Sequence, residues 1–223
     1  AVTTGIKNTL IGGLAGDALT DADNNVAIGY QALTTEDIGS RTVAIGYQTL
    51  FAQNSATATD TYNTAVGALA GAEVTTGVQN TIIGGLAGDA LTTGSYNVIL
   101  GTNGGGGVTT GSQNIIIGQG TAMAALTGSL NTIVGDSAGA AMTSGTQNVA
   151  VGATALDANT TGSYNNAVGK GTLGSNTTGA NNTGIGDGAL NANTTASNNT
   201  AVGYFALVAN TTGASNNALG SSA

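Results

Sequence analysis

One aliphatic-Gly step recurs through the whole chain: Gly12, Gly29, Gly46, Gly67, Gly84, Gly101, Gly118, Gly135, Gly152, Gly169, Gly186, Gly203 and Gly220 each follow Ile, Val or Leu. Successive spacings are 17, 17, 21 and then 17 nine times, so thirteen copies run in register with a single four-residue insertion between Gly46 and Gly67. A fixed short period is the signature of stacked supersecondary units, each too small to bury a core without its neighbours. The run before the Gly, such as Thr81-Ile82-Ile83 or Ile115-Ile116-Ile117, is rich in β-branched residues and too short for a helix. One strand per 17 residues, with turns between, predicts an all-β parallel β-solenoid of thirteen 17-residue coils forming one domain over residues 1–223. At about 4.8 Å per layer such a stack spans roughly 60 Å.

Four residues ahead of the Gly stands Asn: Asn8, Asn25, Asn63, Asn80, Asn97, Asn114, Asn131, Asn148, Asn165, Asn182, Asn199 and Asn216, with Thr42 the one departure. Asn tolerates left-handed backbone and bonds local peptide groups, which suits the turn into a strand. Stacked in register, each amide can donate to one neighbour and accept from the other, which predicts a structural Asn ladder rather than a ligand site. Three residues after the Gly the residue is always Ala, Thr or Gly, a place for close backbone approach. Leu33, Leu50, Leu156, Leu173, Leu190 and Leu207 follow it as core candidates, and Leu14 and Leu86 are expected to replace them where Gly16 and Gly88 stand instead.

The residue before the Gly, aliphatic throughout, is expected to point into the coil. Its predecessor then faces outward, and is also apolar or small, with Ile82, Ile99, Ile116 and Ile133 in consecutive layers. An exposed Ile stripe is avoided by soluble monomers, so these four are expected to be an interface between chains.

The composition narrows the function classes. The net charge is −8, with Lys7, Arg41 and Lys170 the only cations, too few to neutralise a run of phosphates or an anionic bilayer. No apolar stretch approaches the ~18 residues of a membrane helix, and AVTTGIKNTL does not have the plan of a signal peptide. The lack of Cys removes disulfides and thiolate sites without fixing a redox compartment. With neither His nor Cys, and no base beside any Ser, no catalytic constellation is visible and no enzyme is expected.

Asn25-Val26-Ala27-Ile28-Gly29 and Asn148-Val149-Ala150-Val151-Gly152 resemble the head repeats of YadA-like trimeric autotransporter adhesins, and similar repeats occur in bacteriophage tail fibres. The resemblance covers essentially the whole chain, with a period longer than the family's. It implies a left-handed β-roll, three chains packed around a threefold axis, and a cell-surface or virion-surface location. It implies no cofactor, and as partners two further copies of the chain and a surface glycan or protein. The chain would then be an adhesive head or a spacer of a surface fibre.

Other motifs carry less. GGLAGDALT at 12–20 and 84–92 nearly matches a calcium-binding nonapeptide, with Asp17 and Asp89 as weak ligand candidates, but the copies are 72 residues apart. The Gly-rich stretches at 101–107 and 169–172 lack phosphate-loop spacing. Glu36-Asp37 and Asp21 with Asp23 read as solvated loops, and the Asn-x-Thr sites at Asn159, Asn176, Asn181, Asn193, Asn198 and Asn210 as by-products of the repeat. Recurrent Thr-Thr-Gly turns, such as Thr75-Thr76-Gly77, give an ice-binding solenoid as the alternative function, although adjacent Thr residues point to different sides. Tyr30 and Tyr47 share one repeat position and are candidate ligand contacts as a stacked sugar platform, with Arg41 and the 54–61 insertion nearby.

Overall fold

A computed structural model describes residues 3–223. Every repeat contributes one three-residue strand, bounded by the ladder position and the Gly. The first compact unit, ending at Gln113, holds β1 (Thr9–Ile11), β2 (Val26–Ile28), β3 (Val43–Ile45), β4 (Thr64–Val66), β5 (Thr81–Ile83) and β6 (Val98–Leu100). The second, beginning at Asn114, holds β7 (Ile115–Ile117), β8 (Thr132–Val134), β9 (Val149–Val151), β10 (Asn166–Val168), β11 (Thr183–Ile185), β12 (Thr200–Val202) and β13 (Asn217–Leu219). Within each unit every strand pairs in parallel with the next in sequence, as Thr81, Ile82 and Ile83 do with Val98, Ile99 and Leu100. The described residues contain no helix. Each unit is thus a parallel β-solenoid, with one coil per repeat.

Turns close each coil and also bond to the coils on either side. Leu91 N–H donates to Gly88 O within its own coil at 3.0 Å, Gly88 N–H to Gly104 O of the next at 2.9 Å, and Leu86 N–H to Ala68 O of the previous one at 2.9 Å. The conserved spacing has a steric basis at the marked Gly. Gly84 has φ of 135°, and a Cβ there would stand 2.5 Å from Gly101 O, so the glycines stack backbone on backbone and no other residue fits.

The strand faces are the reverse of the expected ones. Ile82, Ile99, Ile116 and Ile133 are completely buried within their own chain, and therefore form the coil core rather than an interface. The residues before the Gly look outward, with Ile83 40% and Ile185 44% exposed. Parity explains this. Side chains alternate along a strand, the ladder Asn is buried, and so the residue two places later must be inside and the one three places later outside.

The core is filled in two ways. One class of coil has Ala or Gly at the middle strand position and a buried Leu four residues after the Gly, as with Ala150 and Leu156, or Ala167 and Leu173. The other has Ile in the strand and Gly in the Leu position, and gains a large apolar residue three places further on: Ile82, Gly88 and Leu91, or Ile133, Gly139 and Met142. A Cβ on Gly88 would come within 2.9 Å of Ile99 Cδ1, so the Ile side chain occupies the volume that Leu fills elsewhere. Leu14 and Leu86 are not the substitutes. They lie in left-handed turns, 48% and 41% exposed.

Candidate functional surfaces

The Asn ladder is buried and hydrogen-bonded as a structural element. Asn148 Nδ2 donates to Gly162 O at 3.0 Å and to Asn131 Oδ1 at 3.2 Å, while its Oδ1 accepts the backbone N–H of Asn165 at 3.0 Å. The same pattern joins Asn63, Asn80 and Asn97 in the first unit, and Asn8 accepts from Asn25 N–H at 2.9 Å. The left-handed residue is the one before the Asn, for example Gln79 at φ 59° and Gln147 at φ 56°, not the Asn itself. A second ladder runs through Asn159, Asn176, Asn193 and Asn210. Asn176 Nδ2 donates to Asn159 Oδ1 at 2.9 Å, and the next two steps are 3.0 Å each. These are four of the glycosylation-type sites, and Asn159, Asn176 and Asn193 are buried. Their signal in the sequence was a 17-residue spacing in the coils whose core residue is Leu.

The insertion is accommodated around a buried carboxylate. Glu36 is fully buried, and its oxygens accept from Gly39 N–H at 2.8 Å, Ser55 N–H at 3.1 Å, Ser55 Oγ at 3.0 Å and Gln53 Nε2 at 3.0 Å. Gln53 also links Thr42 and Asn63, bridging the ladder where Thr42 interrupts it. The solvated-loop reading of Glu36 is corrected by this network, which satisfies a carboxylate that burial would otherwise make costly.

The candidate ligand contacts separate into two groups. Tyr30 and Tyr47 are each half-exposed, with ring centroids 5.9 Å apart and planes 15° from parallel, and Gln48 Nε2 donates to Gln31 Oε1 beside them at 2.9 Å. Arg41 instead pairs with Asp60, Nε to Oδ2 at 2.9 Å, and lies 5.9 Å over the Tyr62 ring. The hydrogen bond and charge of Asp60 hold the Arg41 pKa above its ordinary value. No cavity opens among the described residues.

Asp17 accepts from Thr34 Oγ1, and no three metal-binding side chains cluster among the described residues. The Asp89 carboxyl is pushed up by partial burial and the nearby Glu73 charge, and the Asp157 carboxyl by partial burial, in both cases against backbone hydrogen bonds that lower it. The strand β6 that precedes the Gly-rich stretch at 101–107 leads into turns rather than a helix, so no helix N-terminus is available to hold a phosphate.

An outer sheet face repeats in every coil of each unit. Its two strand columns read Val26/Ile28, Val43/Ile45, Thr64/Val66, Thr81/Ile83 and Val98/Leu100 in the first unit, and Ile115/Ile117, Thr132/Val134, Val149/Val151, Asn166/Val168, Thr183/Ile185 and Thr200/Val202 in the second. None of the thirteen strands contains a charged residue. In the Thr-Thr turns at 75–76, 92–93, 160–161, 177–178 and 194–195 the first hydroxyl is used inside the stack, as Thr75 Oγ1 donates to Thr92 O at 3.3 Å, and the second residue is the exposed one. Comparison with protein-family models, with curated proteins and with solved structures found no match.

Proposed function

We propose that the chain is a segment of a trimeric surface fibre, a left-handed β-roll packed in three parallel copies, serving as an adhesive head or as a spacer on a cell or virion surface. The observation that carries this reading is the uncharged outer sheet face, with an aliphatic residue in every layer on a chain of net charge −8. Aliphatic surface of that extent gains about 25 cal/mol per Å² when covered, and a face repeating once per coil is matched along its length by another copy with the same period. The half-exposed Tyr30–Tyr47 pair suits contact with a neutral sugar ring, and a cation-poor surface disfavours acidic glycans. The role is structural and adhesive rather than catalytic. Light scattering tests it: the expected mass is three times the 21.2 kDa of one chain, and a mass of one chain overturns the assembly.

The exposed second-Thr column, Thr161, Thr178, Thr195 and Thr212, supports ice binding as the alternative. A thermal-hysteresis assay decides it, and no inhibition of ice growth is the expected result.

A further inference from the structure

We infer that Asn166 fixes the axial register between copies of the chain on the outer sheet face; this rests on the trimer proposed above. A face with an aliphatic residue in every layer attracts its copy strongly but does not specify alignment, because a slip of one coil replaces each aliphatic contact by an equivalent one. The column at the first strand position breaks that degeneracy. In the second unit it reads Ile115, Thr132, Val149, Asn166, Thr183, Thr200 and Asn217. Asn166 lies directly between Val149 and Thr183 in the sheet register. It is exposed, unlike the buried ladder amides, and no side chain among the described residues bonds its amide.

Asn is depleted in strands, so an amide here needs a reason. With copies parallel and in register about a common axis, each Asn166 meets Asn166 of another copy, and each amide donates to one neighbour while accepting from another. A slip of one coil sets it against Val149 on one side, which offers no partner, and against Thr183 on the other, whose hydroxyl carries one donor where an amide carries two. Only a slip of three coils, 51 residues, brings Asn166 opposite Asn217, and that uncovers three layers of aliphatic surface. The arrangement is the sheet counterpart of a single buried Asn that sets register in a coiled coil.

The chain has no native Cys, so register can be read by cross-linking. Thr183→Cys and Thr200→Cys are introduced together in the full chain, treated with a short bis-thiol reagent, and the linked peptides are identified by mass spectrometry. Links of 183 to 183 and 200 to 200 are expected. Adding Asn166→Val, or Asn166→Thr to match its column, is expected to raise 183-to-200 links at least about tenfold while the mass and β-sheet circular dichroism stay unchanged. An unchanged link ratio in both variants, on a chain that still has the trimer mass, overturns the register role alone. A single-chain mass before any substitution overturns the trimer reading together with it.

Discussion

Asn148→Ala tests whether the buried ladder holds the solenoid together, and the structure allows its cost to be worked out group by group. Five hydrogen bonds are lost, one of them a weak 4.0 Å contact to Met142 Sδ, but most of the groups left behind keep a partner. Gly162 O still accepts from Asn159 Nδ2 at 2.9 Å. Asn131 Oδ1 still accepts the backbone N–H at position 148, now 3.0 Å away. Asn165 Nδ2 still donates to Gly179 O at 2.8 Å. The backbone N–H of Asn165 alone is orphaned, because Asn148 Oδ1 is its acceptor and the site is closed to water. An unsatisfied buried group costs about 1–3 kcal/mol, and the space left by the amide adds about 1 kcal/mol. The expected destabilisation is therefore about 2–4 kcal/mol. Because a solenoid opens locally, amide hydrogen exchange is the suitable assay. Exchange at Asn165 and Asn166 should accelerate by at least about tenfold, with a smaller effect in the coil beyond. A loss below about 0.5 kcal/mol with unchanged exchange at Asn165 would refute the claim that the ladder carries stability.

Substitutions in adjacent strand positions should have opposite consequences. Ile116→Asp places a charge in the core of a coil and is expected to abolish strand protection around β7, measured by hydrogen exchange, whereas Val134→Asp on the outer face should leave the β-sheet spectrum intact and lower the mass seen by light scattering. Dissociation without local unfolding in Ile116→Asp would contradict the assigned faces. Asp157→Asn reports on a carboxyl raised by partial burial. Its folded form binds protons more tightly than the unfolded chain does, so stability falls as pH rises from the ordinary carboxylate range through the raised value. The variant should melt at a higher temperature than the parent at pH 7 and equally at pH 3; a lower melting temperature at pH 7 would count against the burial effect.

The period was enough to locate every strand, since each lies between the ladder position and the Gly, and it was enough to bring Tyr30 and Tyr47 together. The facing was harder to read, because β-branched residues stand on both sides of a short parallel strand and hydropathy alone does not choose between Ile82 and Ile83. The ladder does choose: a buried Asn80 commits Ile82 to the same side. The second ladder was hidden because Asn159 and its equivalents sit in turns, where Asn is common for local reasons. Glu36 reads as solvated in the sequence because nothing near it announces the donors of Gln53 and Ser55, which arrive from the next coil and its insertion.

The two ways of filling the core have a consequence for how such a chain can change length. Within a run of one class, adding or deleting a coil brings together layers that already fit. The coils built on Leu156, Leu173 and Leu190 form such a run, and those built on Ile82 and Ile99 another. Placing an Ile coil after a Leu coil is different, because the Ile reaches back into the Leu position of the layer before it; the opposite order needs no such care, and the Ile133 coil adjoins the Ala150 and Leu156 coil directly. At Gly71 a Cβ would meet both Leu50 Cδ2 at 3.0 Å and Ile82 Cδ1 at 2.9 Å, and that coil carries only Ala65 in its strand. It acts as an adaptor between two gauges of core. Recombination inside a gauge is therefore silent, whereas recombination that sets an Ile coil after a Leu coil must carry the adaptor with it.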